Sequence, residues 1–250
     1  MEENFSTEAL IRLPNNNLQH ALSAKIHNNE YIGLLAILST PDKARVRSCA
    51  GSGSGAFLSA PPFLASCKFN NFDFVTAVQL ILGAGIGQLA SAPAPCACGS
   101  IPDQYGQHYL NCRRGGEIIF RHNSLRETFA TIIRSSGGRV TQEVPISAIP
   151  GAFINTSLHN LRFDITATSC ASQNIISADV TVINPISSSI SLTAHYAAWD
   201  GMAATTAERR KIATYGDISN SIGMTFIPLA LEVYGRMGRK CENFLKSLAH

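Results

Sequence analysis

Apolar positions follow two rhythms along this chain. In the N-terminal third they recur at three- and four-residue spacing. LQHALSAKIHNNEYIGLLAIL, from Leu18, reads as one or two helices. FDFVTAVQLIL, from Phe72, reads as another that stops at the glycines of GAGIG. Asp42 is placed to cap a short helix, DKARVRSCA. GSGSGAF reads as a flexible link, and the prolines of APPF block helix continuation. Helical spacing returns in RHNSLRETFATIIRSSGG. There Ser124 and Glu127 have capping-box spacing, Leu125, Phe129, Ile132 and Ile133 form one stripe, and Gly137-Gly138 end the helix.

The rhythm then shortens to two. RVTQEVPI reads as a strand. In the next run Leu161, Phe163, Ile165 and Ala167 face one way, and Arg162, Asp164 and Thr166 the other. In the run after it Ile176, Ala178, Val180 and Val182 face the core, with Ser177, Asp179 and Thr181 outward. The connection SCASQN suits a hairpin centred near residues 171–172, which sets Asp164 opposite Asp179. Like charges paired across strands are destabilising unless something positive lies between them. TTAERRKIATYG reads as a helix with Thr205 and Glu208 as a second capping box. MTFIPLALEVYG reads as a buried strand leading into a helix, with Pro228 limiting how central that strand can be, and CENFLKSLA as a terminal amphipathic helix. The order of elements implies an α/β or α+β fold, a small sheet flanked by helices. The divisions are a helical, linker-like region over 1–90, a cysteine-bearing segment over 91–116 and the sheet domain over 117–250.

Composition narrows the class. Of 250 residues 45% are hydrophobic and 15% charged, which excludes a disordered chain. There is no run of about 18 apolar residues, so no membrane partner is expected. The N-terminus, MEENFSTEAL, is acidic and polar, unlike a signal peptide. An odd number of cysteines, seven, argues against a disulfide framework. The expected location is nuclear or cytoplasmic, not secreted. The net charge of +3 favours no partner, but its distribution is uneven. Arg113, Arg114, Arg121, Arg126, Arg134 and Arg139 form one excess, and Arg209, Arg210 and Lys211 a second. Such clusters suit phosphates, and equally a solvated face.

Two constellations carry chemistry. Asp164 and Asp179, brought together on a sheet, can share a hard divalent cation such as Mg2+, which can activate water and neutralise phosphoryl oxygens. Two acids and a lysine form the core of PD-(D/E)xK nucleases. Here Thr181 stands where that lysine belongs, so the motif read strictly fails and a salt-bridged structural pair stays open. The second constellation is Cys96, Cys98, His108 and Cys112, a C-x-C-x9-H-x3-C pattern. Three thiolates and an imidazole suit tetrahedral Zn2+, against the alternative of ordinary thiols and a surface histidine. Cys49, Cys67, Cys170 and Cys241 have no partner at ligand spacing and read as structural.

Taken in order, CAC…GQHYLNC, RHNSLRETF, QEVPI, RFDI, ADVTVINP, RRKIATYG and FIPLALEVYGRMG resemble the C-terminal end of a non-LTR retrotransposon polyprotein of the class with a restriction-like endonuclease. The resemblance spans residues 42–250, most firmly 96–216, and rests on the order of the motifs. It implies a mixed sheet with a restriction-endonuclease-like core after a zinc knuckle. It implies a metal-dependent endonuclease hydrolysing DNA phosphodiesters, with Zn2+ as structural and Mg2+ or Mn2+ as catalytic cofactor. DNA is the implied partner, with the element's RNA a further candidate. Asp164 and Asp179 take the places of the two catalytic aspartates, Phe163 standing where proline is common. Lys211, four residues before Tyr215, matches a lysine supplied from a helix, and Glu143 an acidic position on the preceding strand. Arg121, His122 and Asn123 match an RHN motif, whose polar character at a helix start suits phosphate, or simply local capping. Arg126, Arg209 and Arg210 join them as candidate nucleic-acid contacts. The [YF]-x-D-D motif of a reverse transcriptase is absent, so the expectation is a tail or domesticated remnant of such an element, and a catalytically inactive DNA-binding remnant is the alternative.

Overall fold

The structure, a computed structural model, describes residues 15–61, 68–90, 94–151, 160–168 and 174–249. Cys67, Cys170 and the hairpin tip at 169–173 lie outside the described residues. The chain divides into two compact units, Met1–Ser39 and Thr40–His250. The first carries helix α1 (Asn15–Ile37). The second carries α2 (Thr40–Cys49), α3 (Asn71–Leu82), α4 (Gly87–Ala90), α5 (Gln107–Asn111), α6 (Glu117–Ser135), β1 (Arg139–Pro145), β2 (Arg162–Thr168), β3 (Ile175–Ile183), α7 (Ile190–Tyr196), α8 (Met202–Ser221), β4 (Thr225–Glu232) and α9 (Arg239–Leu248). No described helix is long and apolar enough to cross a membrane.

This is an α/β fold with a mixed four-strand sheet in the order β1-β2-β3-β4. β1 and β2, and β2 and β3, pair antiparallel; β3 and β4 pair parallel. Pro228 therefore sits in an edge strand, where its missing N–H costs least. The β2–β3 register, Ile165 on Ala178 and Thr166 on Ser177, is the one that the period-two pattern predicts.

Helices cover both faces. On one, Phe129, Ala130 and Ile133 of α6 and Cys241 and Phe244 of α9 pack on Ile165, Ala167, Ala178, Val180 and Leu229. On the other, Tyr215 of α8 packs with Ile146 and Phe163, joined by Ile218, Ile222 and Phe226. Each fully buried large apolar side chain contributes about 1.5–3 kcal/mol. Ile132, expected on the packed stripe, is partly exposed; Ala130 takes that position, because its small side chain lets the helix approach the sheet.

The helix starts correct three expectations. α6 begins at Glu117 after Gly116, so Ser124 lies inside it and is no N-cap; its carbonyl accepts from Thr128 Oγ1 at 2.9 Å. α8 begins at Met202, which puts Thr205 inside too. Glu208 turns inward and accepts from the Lys240 and Cys241 amides, at 2.8 and 3.4 Å, in the first turn of α9. It thus caps the following helix instead of its own. A Cβ at Gly238 would lie 2.3 Å from the Glu208 carboxylate, which accounts for the glycine there. Glu232 does the same for α8, accepting from the Ala204 amide at 2.9 Å. Asp42 lies in the first turn of α2, which starts at Thr40, and pairs with Arg45 at 3.0 Å. The GSGSGAF segment folds into turns and a short 3-10 helix, Ala56–Leu58.

The strand alternation also fails at one point. Ile165 and Ala167 of β2 face α6 and α9, whereas Phe163 and Leu161 join the Tyr215 cluster. The strand turns over at Asp164. Opposite it in register stands Glu143, the one described non-glycine residue with positive φ, at 55°. Neither residue takes part in the β1–β2 pairing, and the β2–β3 ladder stops at Ile165. In its place the Asp164 carboxylate accepts the Val180 amide at 2.6 Å.

Candidate metal and nucleic-acid site

β3 carries Asp179 on the face toward α8, since its neighbour two residues back, Ser177, bonds Ser219 of α8 at 2.9 Å. One turn of α8 sets Lys211 and Tyr215 on the same side. Lys211 Nζ lies 2.6 Å from Asp179 Oδ2 and 5.6 Å from the Tyr215 ring centroid. The Lys211 ammonium and the Tyr215 hydroxyl are thus the polar groups that face the Asp179 carboxylate from α8. Asp179 is 4% exposed. Burial first, then the charge of Asp164, raise its pKa against the pull of Lys211. Burial, then Asp179, hold the Tyr215 phenol well above its ordinary value.

Asp164, 7% exposed, is approached from the opposite layer. His122 of α6 puts Nε2 3.0 Å from Asp164 Oδ2, the oxygen that accepts the Val180 amide. The hydrogen bond to Asp164 raises the His122 pKa in spite of partial burial. The sheet break thus collects two buried carboxylates of hard oxygen donors, a lysine and a histidine. Carboxylate oxygens are ligands of the type a hard cation takes, and here each of the two carboxylates already faces a basic side chain. Beside it runs a groove of about 260 Å³ whose lining includes Thr181, Arg210, Lys211 and Thr214.

The other predicted residues divide. Glu143 stands opposite Asp164 in register, but its carboxylate is held by Arg126 and, at 3.0 Å, by Arg162. Arg126 Nε also donates to Gln142 Oε1 at 3.0 Å, and Gln142 donates to Glu127 at 2.6 Å. These contacts tie α6 to β1. The RHN residues sit in the second turn of α6, not at its start, because EIIF adds an apolar turn before them. Arg121 is half-buried and donates to the Leu110 carbonyl at 3.3 Å. Asn123, Arg209 and Arg210 are exposed.

The cysteine segment forms the second cluster. Ligand atoms of Cys96, Cys98, His108 and Cys112 all lie within 4.8 Å of one another. Cys96 and Cys112 sulfurs are 3.6 Å apart, and Cys98 Sγ is 3.4 Å from His108 Nε2. Tetrahedral zinc with bonds of about 2.3 Å sets thiolates about 3.8 Å apart, so the arrangement is consistent with a structural zinc. A turn closed by Cys96 N–H to Ser100 O, with Gly99 at φ 87°, brings Cys98 round. Asp103 accepts from the amides of Tyr105, Gln107 and His108 at 2.9, 3.0 and 2.6 Å and so starts α5. α5 then presents His108 and sets up Cys112 one turn on. Hydrogen bonds from Ser100 pull the Cys98 thiol down to about 6, toward the thiolate a metal needs. Gln107 docks this segment on the sheet unit by donating to Tyr234 Oη at 2.6 Å, with Asn184 donating back to Gln107 at 3.4 Å. Tyr234 and Asn184 lie in the FIPLALEVYGRMG and ADVTVINP stretches, but sequence reasoning gave neither this role.

No protein-family model matches the chain, and no curated protein matches it.

Proposed function

We propose that this chain is a divalent-metal-dependent DNA endonuclease derived from a non-LTR retrotransposon, with a zinc knuckle at Cys96, Cys98, His108 and Cys112. Asp164 and Asp179 would hold Mg2+ or Mn2+, which supplies an activated water and neutralises charge at the scissile phosphate. The observation that carries the reading is Lys211, which reaches Asp179 from helix α8 and so stands in for the lysine absent at Thr181. The Asp179 carboxylate, freed when Lys211 turns to the phosphate, would give the cation an oxygen to bind. Lys211 is partly exposed and borders the groove, so its ammonium can swing from Asp179 to an incoming phosphate. Arg210 and Thr214 line the same groove and suit the adjoining sugar–phosphate backbone. Exposed Arg113 and Arg114, beside the knuckle, and Arg209 add sequence-independent contacts to DNA, and to element RNA.

One observation favours the alternative of a catalytically inactive DNA-binding remnant. His122 and Lys211 already face the two aspartates, which balances their charge without a metal. Nicking of supercoiled plasmid by the full chain in Mg2+ or Mn2+, with EDTA as control, separates the two. Metal-dependent nicking supports the endonuclease; DNA binding without nicking supports the remnant.

A further inference from the structure

We infer that His122 is a positioning residue that fixes the Asp164 carboxylate for metal, and that it is not a phosphate contact. The inference rests on the endonuclease reading for the identity of the site. Asp164 sits where β2 leaves the ladder on both sides, so no regular strand pairing holds its backbone. Its side chain is fixed instead. Among the described residues, both hydrogen-bond partners of the carboxylate, Val180 N–H at 2.6 Å and His122 Nε2 at 3.0 Å, engage Oδ2. That leaves Oδ1 with lone pairs for a cation.

α6 explains how a histidine comes to be there. His122 lies seven, eight and eleven residues before Phe129, Ala130 and Ile133, on the stripe that the helix buries against the sheet. Arg126, one turn on, lies on the same stripe and bonds β1. The stripe turns polar where it passes over the sheet break. Asn123 Oδ1 lies 3.5 Å from the other ring nitrogen, Nδ1, and orients the imidazole from behind. A ring held on one side by a polar neighbour and pressed on a carboxylate on the other is the arrangement by which outer groups orient metal ligands. Asn123 and Arg113 remain exposed for DNA, whereas His122 is turned inward.

The test titrates Mn2+ into zinc-loaded full-length protein, followed by electron paramagnetic resonance, for wild type, His122→Phe, His122→Gln and Asp164→Asn. DNA binding by the zinc-loaded protein without added Mn2+ or Mg2+ is measured alongside. Loss of an outer-shell partner costs about 10–100-fold in metal affinity, so His122→Phe is expected to weaken Mn2+ binding by that factor. His122→Gln keeps an N–H near the Nε2 position and is expected to stay within about threefold of wild type, with DNA binding without added Mn2+ or Mg2+ unchanged in both. His122→Phe binding Mn2+ as tightly as wild type, while Asp164→Asn does not, overturns the inference and leaves the endonuclease reading standing. Equal losses for Gln and Phe also overturn it, as does a loss confined to DNA binding without added Mn2+ or Mg2+. The expected Mn2+ pattern in a wild type that never cuts DNA upholds the positioning role and removes the endonuclease reading. A wild type that binds no Mn2+ overturns both.

Discussion

The knuckle and the sheet site contrast in what holds them. In the proposed knuckle the ligands would hold the fold. Residues 94–113 have little apolar burial of their own; Ile101 is 72% exposed, and Tyr105 and Tyr109 also face solvent. Four ligand atoms and the Asp103 caps do what a core does elsewhere. In the sheet site the fold holds the two proposed ligands. Asp164 and Asp179 lie between two apolar layers that enforce their burial against the cost of bringing like charges together. Metal should therefore stabilise the first region and be accommodated by the second at a cost that the core has already met.

The largest expected effect comes from removing zinc. Structural zinc in finger-type sites is worth about 10–16 kcal/mol, so a strong chelator or Cys112→Ser should abolish amide protection over 94–113 while β2 and β3 stay protected in hydrogen exchange. Simultaneous loss in both regions would end the contrast. Next is Phe163→Ala. Its ring is fully buried beside Tyr215 and Phe226, at centroid distances of 5.6 and 6.5 Å. Loss of about 3–5 kcal/mol is expected in denaturant unfolding, with zinc stoichiometry unchanged.

Asp179→Asn sharpens the contrast from the other side. Burial and Asp164 raise the Asp179 pKa above its ordinary 3.8. A carboxyl raised on folding contributes stability below its unfolded pKa and loses it as pH rises through the folded one. Metal-free Asp179→Asn should thus match wild type in acid and exceed it at neutral pH, as read by thermal unfolding. A variant less stable than wild type at neutral pH would mark the aspartate as a structural partner of Lys211. The smallest effect is at the surface: Arg113→Ala and Arg114→Ala should each lower the log–log salt slope of DNA binding by roughly one, without touching either fold.

Particular residues show what was legible beforehand. The β2–β3 register followed from alternation and hairpin length, because a one-residue slip would turn every buried side chain outward. The meeting of Lys211 with Asp179 was implied by the resemblance, in which a helix supplies the lysine, and not by spacing alone. The ligand cluster followed from spacing. Helix starts did not follow, because Ser124-Glu127 and Thr205-Glu208 have capping spacing whether or not a helix begins there, and the glycines before Glu117 and Met202 decided the matter. Nor did the turnover at Asp164, which depends on a left-handed Glu143 and a side chain taking a ladder amide. The role of Glu208 was hidden as well, since a cap on a helix thirty residues away is a tertiary contact.

Lys211 is where the central claim is most exposed. Plasmid nicking in Mn2+ by wild type and Lys211→Ala, with DNA affinity measured on the same samples, tests it. The account predicts metal-dependent nicking by wild type and its loss, by about a hundredfold or more, in a variant that binds DNA within a few-fold. Nicking by Lys211→Ala at the wild-type rate would contradict it.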